Sequence, residues 1–244
     1  MKQFIFIITF IAVIGFNAVA QDSTVVATVK QKQVDIRGNF LMDLGFNLLT
    51  NEPDELKTKI FGSKTINLYY YYNIPFKNSH FSFNPGIGLG LERFKFDKNI
   101  TLTNTVVNDQ EEIQITSLSD LYAGAKIKNT KLIANYIDIP IEFRYYLDKN
   151  NPNEGFRAAI GGKIGYLIGS HTKVKFRERG NTKISKQKGD YNLETIRGGV
   201  YARVGFPGIN LYGYYSLTDL FKAEKGPLKT TASTFNIGIS ISGF

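Results

Sequence analysis

Asp138, Glu142 and Arg144 fall on even-numbered positions of one short segment, and two carboxylates beside a guanidinium could divide acid and base duties between them. The same three residues could instead simply pair their charges on one face of a strand. Ser170-His171 places a nucleophile next to a base. A serine activated by histidine would suit acyl chemistry of the kind a lipid A-modifying enzyme performs, but the two side chains must touch. Consecutive residues of a strand point to opposite faces, which sets Ser170 and His171 apart. With no Cys at all, thiolate zinc sites, iron–sulfur clusters and cysteine nucleophiles are excluded, and two His are too few for most histidine-based metal sites. No Walker loop, dinucleotide fingerprint or spaced metal-ligand cluster occurs. The Gly86, Gly88, Gly90 run lies within a strand pattern and lacks the helix that a phosphate-binding loop needs. The chain is therefore expected to have no catalytic site, no metal and no cofactor.

The elements that carry these residues are strands. Beyond Gln21, apolar residues recur with a period of two and not at helical spacing. From 137 to 147, Ile137, Ile139, Ile141, Phe143, Tyr145 and Leu147 alternate with Asp138, Pro140, Glu142, Arg144 and Tyr146. Phe235, Ile237, Ile239 and Ile241 do the same at the end of the chain. Similar stretches at about 34–49, 65–75, 80–96, 156–177, 191–206 and 209–219 bring the total to eight. The links between them alternate strictly. Those near 77–79, 148–154 and 207–208 are short and rich in turn residues, whereas 50–64, 97–131, 178–190 and 220–231 are long. Sorted loops of this kind characterise an antiparallel transmembrane barrel with periplasmic turns, extracellular loops and both termini in the periplasm. Within 97–131, Ile100-Thr-Leu-Thr and Ile113-Gln-Ile-Thr read as a small extracellular hairpin; were they to span the membrane, the barrel would have ten strands.

Residues 1–20 read as a secretory signal peptide: Lys2, the apolar run Phe4 to Phe16, then Ala18-Val19-Ala20 before Gln21. The apolar run is shorter than the roughly 20 residues a spanning helix requires. Residues 21–33 then form a periplasmic segment and 34–244 the outer-membrane barrel.

If one face of every strand meets lipid, then Arg37, Arg144, Arg157, Lys163, Arg197 and Arg203 all fall on the other face, with Asp35, Asp43, Glu92, Asp138 and Glu142. A lipid-facing Arg or Lys at the midplane would cost roughly 2 to 4 kcal/mol. Six bases and five acids nearly cancel, which predicts a lumen filled by paired charges. Gly86, Gly88 and Gly90 leave inner-face room for long side chains. An eight-stranded barrel is just wide enough for side chains to fill, so a continuous water pore is not expected. Tyr69 to Tyr72, Tyr145, Tyr146, Tyr212, Tyr214 and Tyr215 fall near strand ends and are read as interfacial anchors, some of the four-tyrosine run pointing inward.

With the leader, the Ile137–Tyr146 strand, the Gly86–Gly90 run and the terminal Phe244, the chain resembles the outer-membrane β-barrel family of Bacteroidetes, the PorT-like and OmpA-like small barrels. The resemblance spans essentially the whole mature chain. It implies an envelope role, variously porin-like, structural or, in one branch, in protein secretion. It also implies that Phe244 is the signal read by barrel assembly machinery. Phe244 is even-numbered while the apolar face of its strand is odd, so a bulge at Gly243 is needed to restore the phase.

Residues 171–190 hold seven cations against two carboxylates, a local charge of +5. Val174 and Phe176 continue the alternation of the preceding strand, which carries Lys173, Lys175 and Arg177 together on the opposite face, with Arg179 just beyond. At a cell surface these four cations could contact the phosphates of outer-leaflet glycolipid, or belong to a solvated loop partly neutralised by Asp109, Glu111, Glu112 and Asp120 of the preceding loop; nucleic acid is not an expected partner. The expected function is structural or interaction-based, with membrane lipid, glycolipid, assembly machinery and membrane proteins of a secretion or envelope complex as partners. The alternative is a narrow porin-like channel for small solutes.

Overall fold

The computed structural model describes residues 38–107, 110–149 and 155–243. The signal peptide, the 21–33 segment, Asp35, Arg37 and Phe244 lie outside the described residues. Eight antiparallel strands close into a barrel: β1 (Gly38–Thr50), β2 (Lys64–Tyr72), β4 (Phe81–Lys95), β7 (Lys126–Tyr146), β8 (Arg157–Glu178), β10 (Ile196–Phe206), β11 (Ile209–Asp219) and β12 (Ser233–Ser242). Each pairs with its neighbours in that order, and β12 pairs with β1 to complete the ring. The two-residue β3 (Ile74–Pro75) prolongs β2 against β4. β5 (Ile100–Val107) and β6 (Gln110–Ser117) form the hairpin expected in the long link, apart from the barrel sheet, so the count is eight and not ten. Short turns and the ends of β1 and β12 occupy one mouth; the long links occupy the other.

The alternation works as a lipid-facing surface requires. Ile139 is 57% exposed and its chain neighbour Asp138 is fully buried, and the same out–in rhythm runs along all eight strands. Phe40, Ile87, Phe143, Ile160, Ile164, Val200, Leu211 and Ile237 lie on the outside of the wall. Among the described residues no helix is long and apolar enough to cross a membrane.

Three boundaries differ from the sequence reading, and a change of polarity explains the first of them. β7 begins at Lys126, eleven residues before the expected start, and the expected 178–190 loop contains β9 (Asn181–Lys188), paired with the far end of β8. β10 begins at Ile196 and not at 191. Toward the long-loop mouth, β4, β7 and β8 invert their polarity: Phe94, Leu132 and Val174 are buried, while Arg93, Lys131 and Lys173 stand on the outer surface. A strand leaving lipid for water must reverse which face is apolar, so the pattern that identifies it within the membrane stops identifying it outside.

β8 also changes parity. Asn135 pairs with Gly169 but Tyr136 pairs with Leu167, leaving Ile168 as the extra residue of a β-bulge. Val174 and Phe176 are consequently buried, and Lys173, Lys175 and Arg177 lie on the same outer surface as Ile164 and Tyr166. The unbroken alternation expected from sequence had placed these cations on the opposite side.

Candidate functional site

The interior is closed at three levels. In the half nearer the short turns, Arg203 of β10 donates from Nη2 to Asp43 of β1 at 2.9 Å and ion-pairs through Nη1 with Glu142 of β7. Glu142 also pairs with Arg144. Arg203 further donates to Ser240 Oγ at 3.0 Å and to the Tyr71 hydroxyl at 3.3 Å, and its guanidinium lies 4.5 Å from the centre of the Tyr201 ring. One arginine thus ties its own strand to β1, β2, β7 and β12.

In the next level, Asp138 of β7 accepts from Arg197 of β10, from the Tyr69 hydroxyl at 2.8 Å and from Lys163 at 3.4 Å. Arg197 also pairs with Glu92 and stacks 3.7 Å over Tyr136; Lys163 lies 4.1 Å over Tyr214. Four carboxylates and four cations, all buried, therefore neutralise one another in two linked groups. Burying an ion costs several kcal/mol unless a partner and further hydrogen bonds compensate it; every ion here has a charged partner, while Oε2 of Glu92 and Nε of Arg197 find no hydrogen-bond partner among the described residues.

Above the charges, Leu56, Phe94, Leu102, Leu132, Leu193 and Phe221 belong to a buried apolar cluster that fills the long-loop end. Residues of the 51–63 link, β5 and the 220–232 link reach this cluster, and no sequence pattern pointed to it. At the opposite mouth a small cavity of about 110 Å³ is lined by Glu142, Arg144, Arg157, Arg203 and Asn210.

The profile of the outer membrane protein beta-barrel domain family matches residues 19–222. The chain belongs to that family. It is an outer membrane β-barrel protein. Among solved structures, Ail, the attachment invasion locus protein of Yersinia pestis in complex with the heparin analogue sucrose octasulfate, aligns with 10% identity over 84% of this chain and 97% of Ail, at a TM-score of 0.33. A triple mutant of the Rhodopseudomonas blastica porin aligns with 10% identity over 84% of this chain and 99% of the porin, at a TM-score of 0.21. No curated protein sequence matches.

Of the eleven charges placed inward from sequence, eight occupy these two groups of the outer membrane barrel: Asp43, Glu92, Asp138, Glu142, Arg144, Lys163, Arg197 and Arg203. Arg157 is half-buried at the short-turn mouth and has no carboxylate partner among the described residues; it donates to Asn210 at 3.1 Å and to Ser242. Tyr69 and Tyr71 are the inward members expected of the four-tyrosine run, whereas Tyr146, Tyr212 and Tyr214, read as interfacial anchors, are also buried inside. Their hydroxyls need hydrogen-bond partners that lipid does not offer, and Asp138, Ser82 and Asn67 supply three of them. The glycines act as expected from their size. A Cβ on Gly90 or Gly165 would strike Asp138 and Arg197, and one on Gly88 would strike Tyr69.

Ser170 and His171 do not meet as a catalytic pair. Ser170 Oγ donates to the Gly189 carbonyl, whereas His171 stands in the outer cationic rows of β8 and β9, facing Lys188. Burial and the cations of Lys186, Lys173, Arg93 and Lys188 hold its imidazole below the ordinary value. Of the four cations assigned to glycolipid contact, Lys173 and Lys175 line one groove on the outer surface. Arg177 and Arg179 belong to the tip of the β8–β9 hairpin, where Arg177 Nε donates to the Gly180 carbonyl at 2.8 Å.

Proposed function

We propose that this protein is a non-conducting outer-membrane barrel with a structural or interaction role at the envelope. The observation that carries this reading is the closed interior: two neutral charge groups spanning opposite walls, capped by an apolar cluster at the long-loop end. A water path would have to break several buried ion pairs at once. The termini and short turns face the periplasm, and the long links with β5, β6 and β9 face outward, where a partner in a secretion or envelope complex would meet them. The reading of the chain as one of the PorT-like and OmpA-like small barrels of Bacteroidetes is supported by the Ile137–Tyr146 and Gly86–Gly90 strands. The protein acts without a catalytic site, because Ser170 is committed to backbone and His171 lies outside the barrel interior.

Conductance in planar bilayers tests the reading. Purified wild type is expected to show no steady openings; regular unitary steps would favour transport of small solutes instead. Residues 1–20 act as the leader, and N-terminal sequencing of the mature protein is expected to begin at Gln21. Phe244 serves the assembly machinery, so its deletion is expected to lower membrane insertion without altering the purified barrel.

A further inference from the structure

We infer that the outer surface of β4, β7, β8 and β9, just above the apolar band, is a built site for the phosphate groups and sugar hydroxyls of a phosphorylated glycolipid. Two rows of residues run across the sheet there. One row is Lys64, Arg93, Ile133, His171 and Lys188, each opposite the next in register. The other is Lys95, Lys131, Lys173 and Lys186. Like charges directly opposite each other destabilise a sheet. Four lysines in one cross-strand row, with no carboxylate in either row, form an arrangement that folding alone does not favour.

Across these rows and the next one, Asn129, Lys175 and Ile184, lies a groove of about 280 Å³. Arg93, Asn129, Lys131, Lys173 and Lys175 supply its polar lining, and Ile133 and Ile184 are its apolar walls. Two polar atoms of its lining residues are shielded from water and have no hydrogen-bond partner among the described residues: Nη1 of Arg93, a donor, and Oδ1 of Asn129, an acceptor. A phosphate oxygen satisfies the first, and a sugar hydroxyl the second. Lys131, whose Nζ donates to the Gly62 carbonyl at 3.1 Å, is held below its ordinary value by burial and by Lys95, Arg93, Lys64 and Lys173. A bound anion would relieve that repulsion.

The height of the site selects the ligand. From Tyr145 to Asn135 the strand rises roughly 34 Å, or about 26 Å along the barrel axis at the usual tilt, the thickness of the apolar band of such barrels. The first cationic row follows immediately, at the level of lipid headgroups. The inference rests on the band being embedded in the membrane; the leaflet concerned follows from the orientation proposed above.

The test uses full-length mature protein in phosphatidylcholine nanodiscs, titrated with bis-phosphorylated lipid A and read by native mass spectrometry. Lipid A dephosphorylated by phosphatase and inorganic phosphate are the comparison probes. Wild type is expected to bind phosphorylated lipid A and to bind the dephosphorylated form far more weakly. A Lys131→Gln, Lys173→Gln, Lys175→Gln variant is expected to bind about a hundredfold more weakly, each cation near an anionic lipid contributing roughly a factor of five. A control with three changes near the hairpin tip, Arg177→Gln, Arg179→Gln and Lys183→Gln, is expected to bind as wild type does. Equal binding by both variants, equal binding of the two lipid forms, or displacement of lipid A by inorganic phosphate at equal concentration would overturn the site. Flotation of each variant with plain phosphatidylcholine vesicles is a separate readout. Loss of flotation by the wild type would overturn the membrane reading itself, whereas lost selectivity with flotation intact overturns only the glycolipid site.

Discussion

Arg197 on β10 places Nη2 3.0 Å from both carboxylate oxygens of Asp138 on β7, across the intervening strand β8. The contact is possible because β8 has Gly165 at the crossing point, where a Cβ would collide with both side chains. Truncating Asp138 leaves Arg197 and Lys163 buried with one carboxylate, Glu92, between them. Asp138→Ala is therefore expected to cost about 3 to 5 kcal/mol. Urea unfolding in lipid vesicles measures this, and a loss below about 1 kcal/mol would show that the group tolerates an uncompensated charge.

The glycine requirement separates positions that look alike in sequence. Gly165→Val and Gly90→Val drive a side chain into the Asp138–Arg197 pair, whereas a Cβ on Gly213 meets nothing within 4 Å. Folding yield in detergent, read as the heat-sensitive gel mobility of the closed barrel, should collapse for the first two and stay near wild type for Gly213→Val.

The lipid face is tested by a charge at its centre. Ile164 lies midway along the membrane part of β8 and is 62% exposed. Ile164→Arg is expected to destabilise the inserted barrel by roughly 2 to 4 kcal/mol. If unfolding in vesicles shows no change, Ile164 does not face hydrocarbon.

His171 reports on the cationic surface without any ligand. Burial comes first, then Lys186, Lys173, Arg93 and Lys188, all disfavouring the imidazolium, so the folded-state pKa lies below that of the unfolded chain. As pH falls below the ordinary imidazole range the unfolded state takes up its proton first, and stability declines until the folded-state pKa is passed. In an NMR titration, Lys173→Met and Lys186→Met are each expected to raise the His171 pKa. An unchanged value in both would mean that the field of the rows does not reach the ring.

Much of the barrel was legible because lipid imposes one rule on every strand that crosses it. Ile137, Ile139, Ile141 and Phe143 could only face outward together, and that put Asp138, Glu142 and Arg144 inside before any contact was known. The rule fails where lipid ends. At Arg93, Lys131 and Lys173 the polar residues are outside and the apolar ones inside, so the extension of β7 read as loop; β9 is polar on both faces except for the exposed Ile184 and gave no alternation to read. The inward Tyr146, Tyr212 and Tyr214 were hidden for a related reason: Tyr suits an interface and a barrel interior equally well, and only the tertiary surroundings distinguish them.

Residue types and their period of two, with the sorting of short and long links, determined the barrel, its strand number and the face on which the charges lie, because these depend only on local alternation and on solvent. Tertiary structure decided which charges meet, since Arg203 and Asp43 are 160 residues apart and join only when β12 closes on β1. It also decided the side of the basic residues in β8. One inserted residue, Ile168, reverses the parity of everything after it, and a bulge is set by pairing with the neighbouring strand, which no single strand's pattern contains.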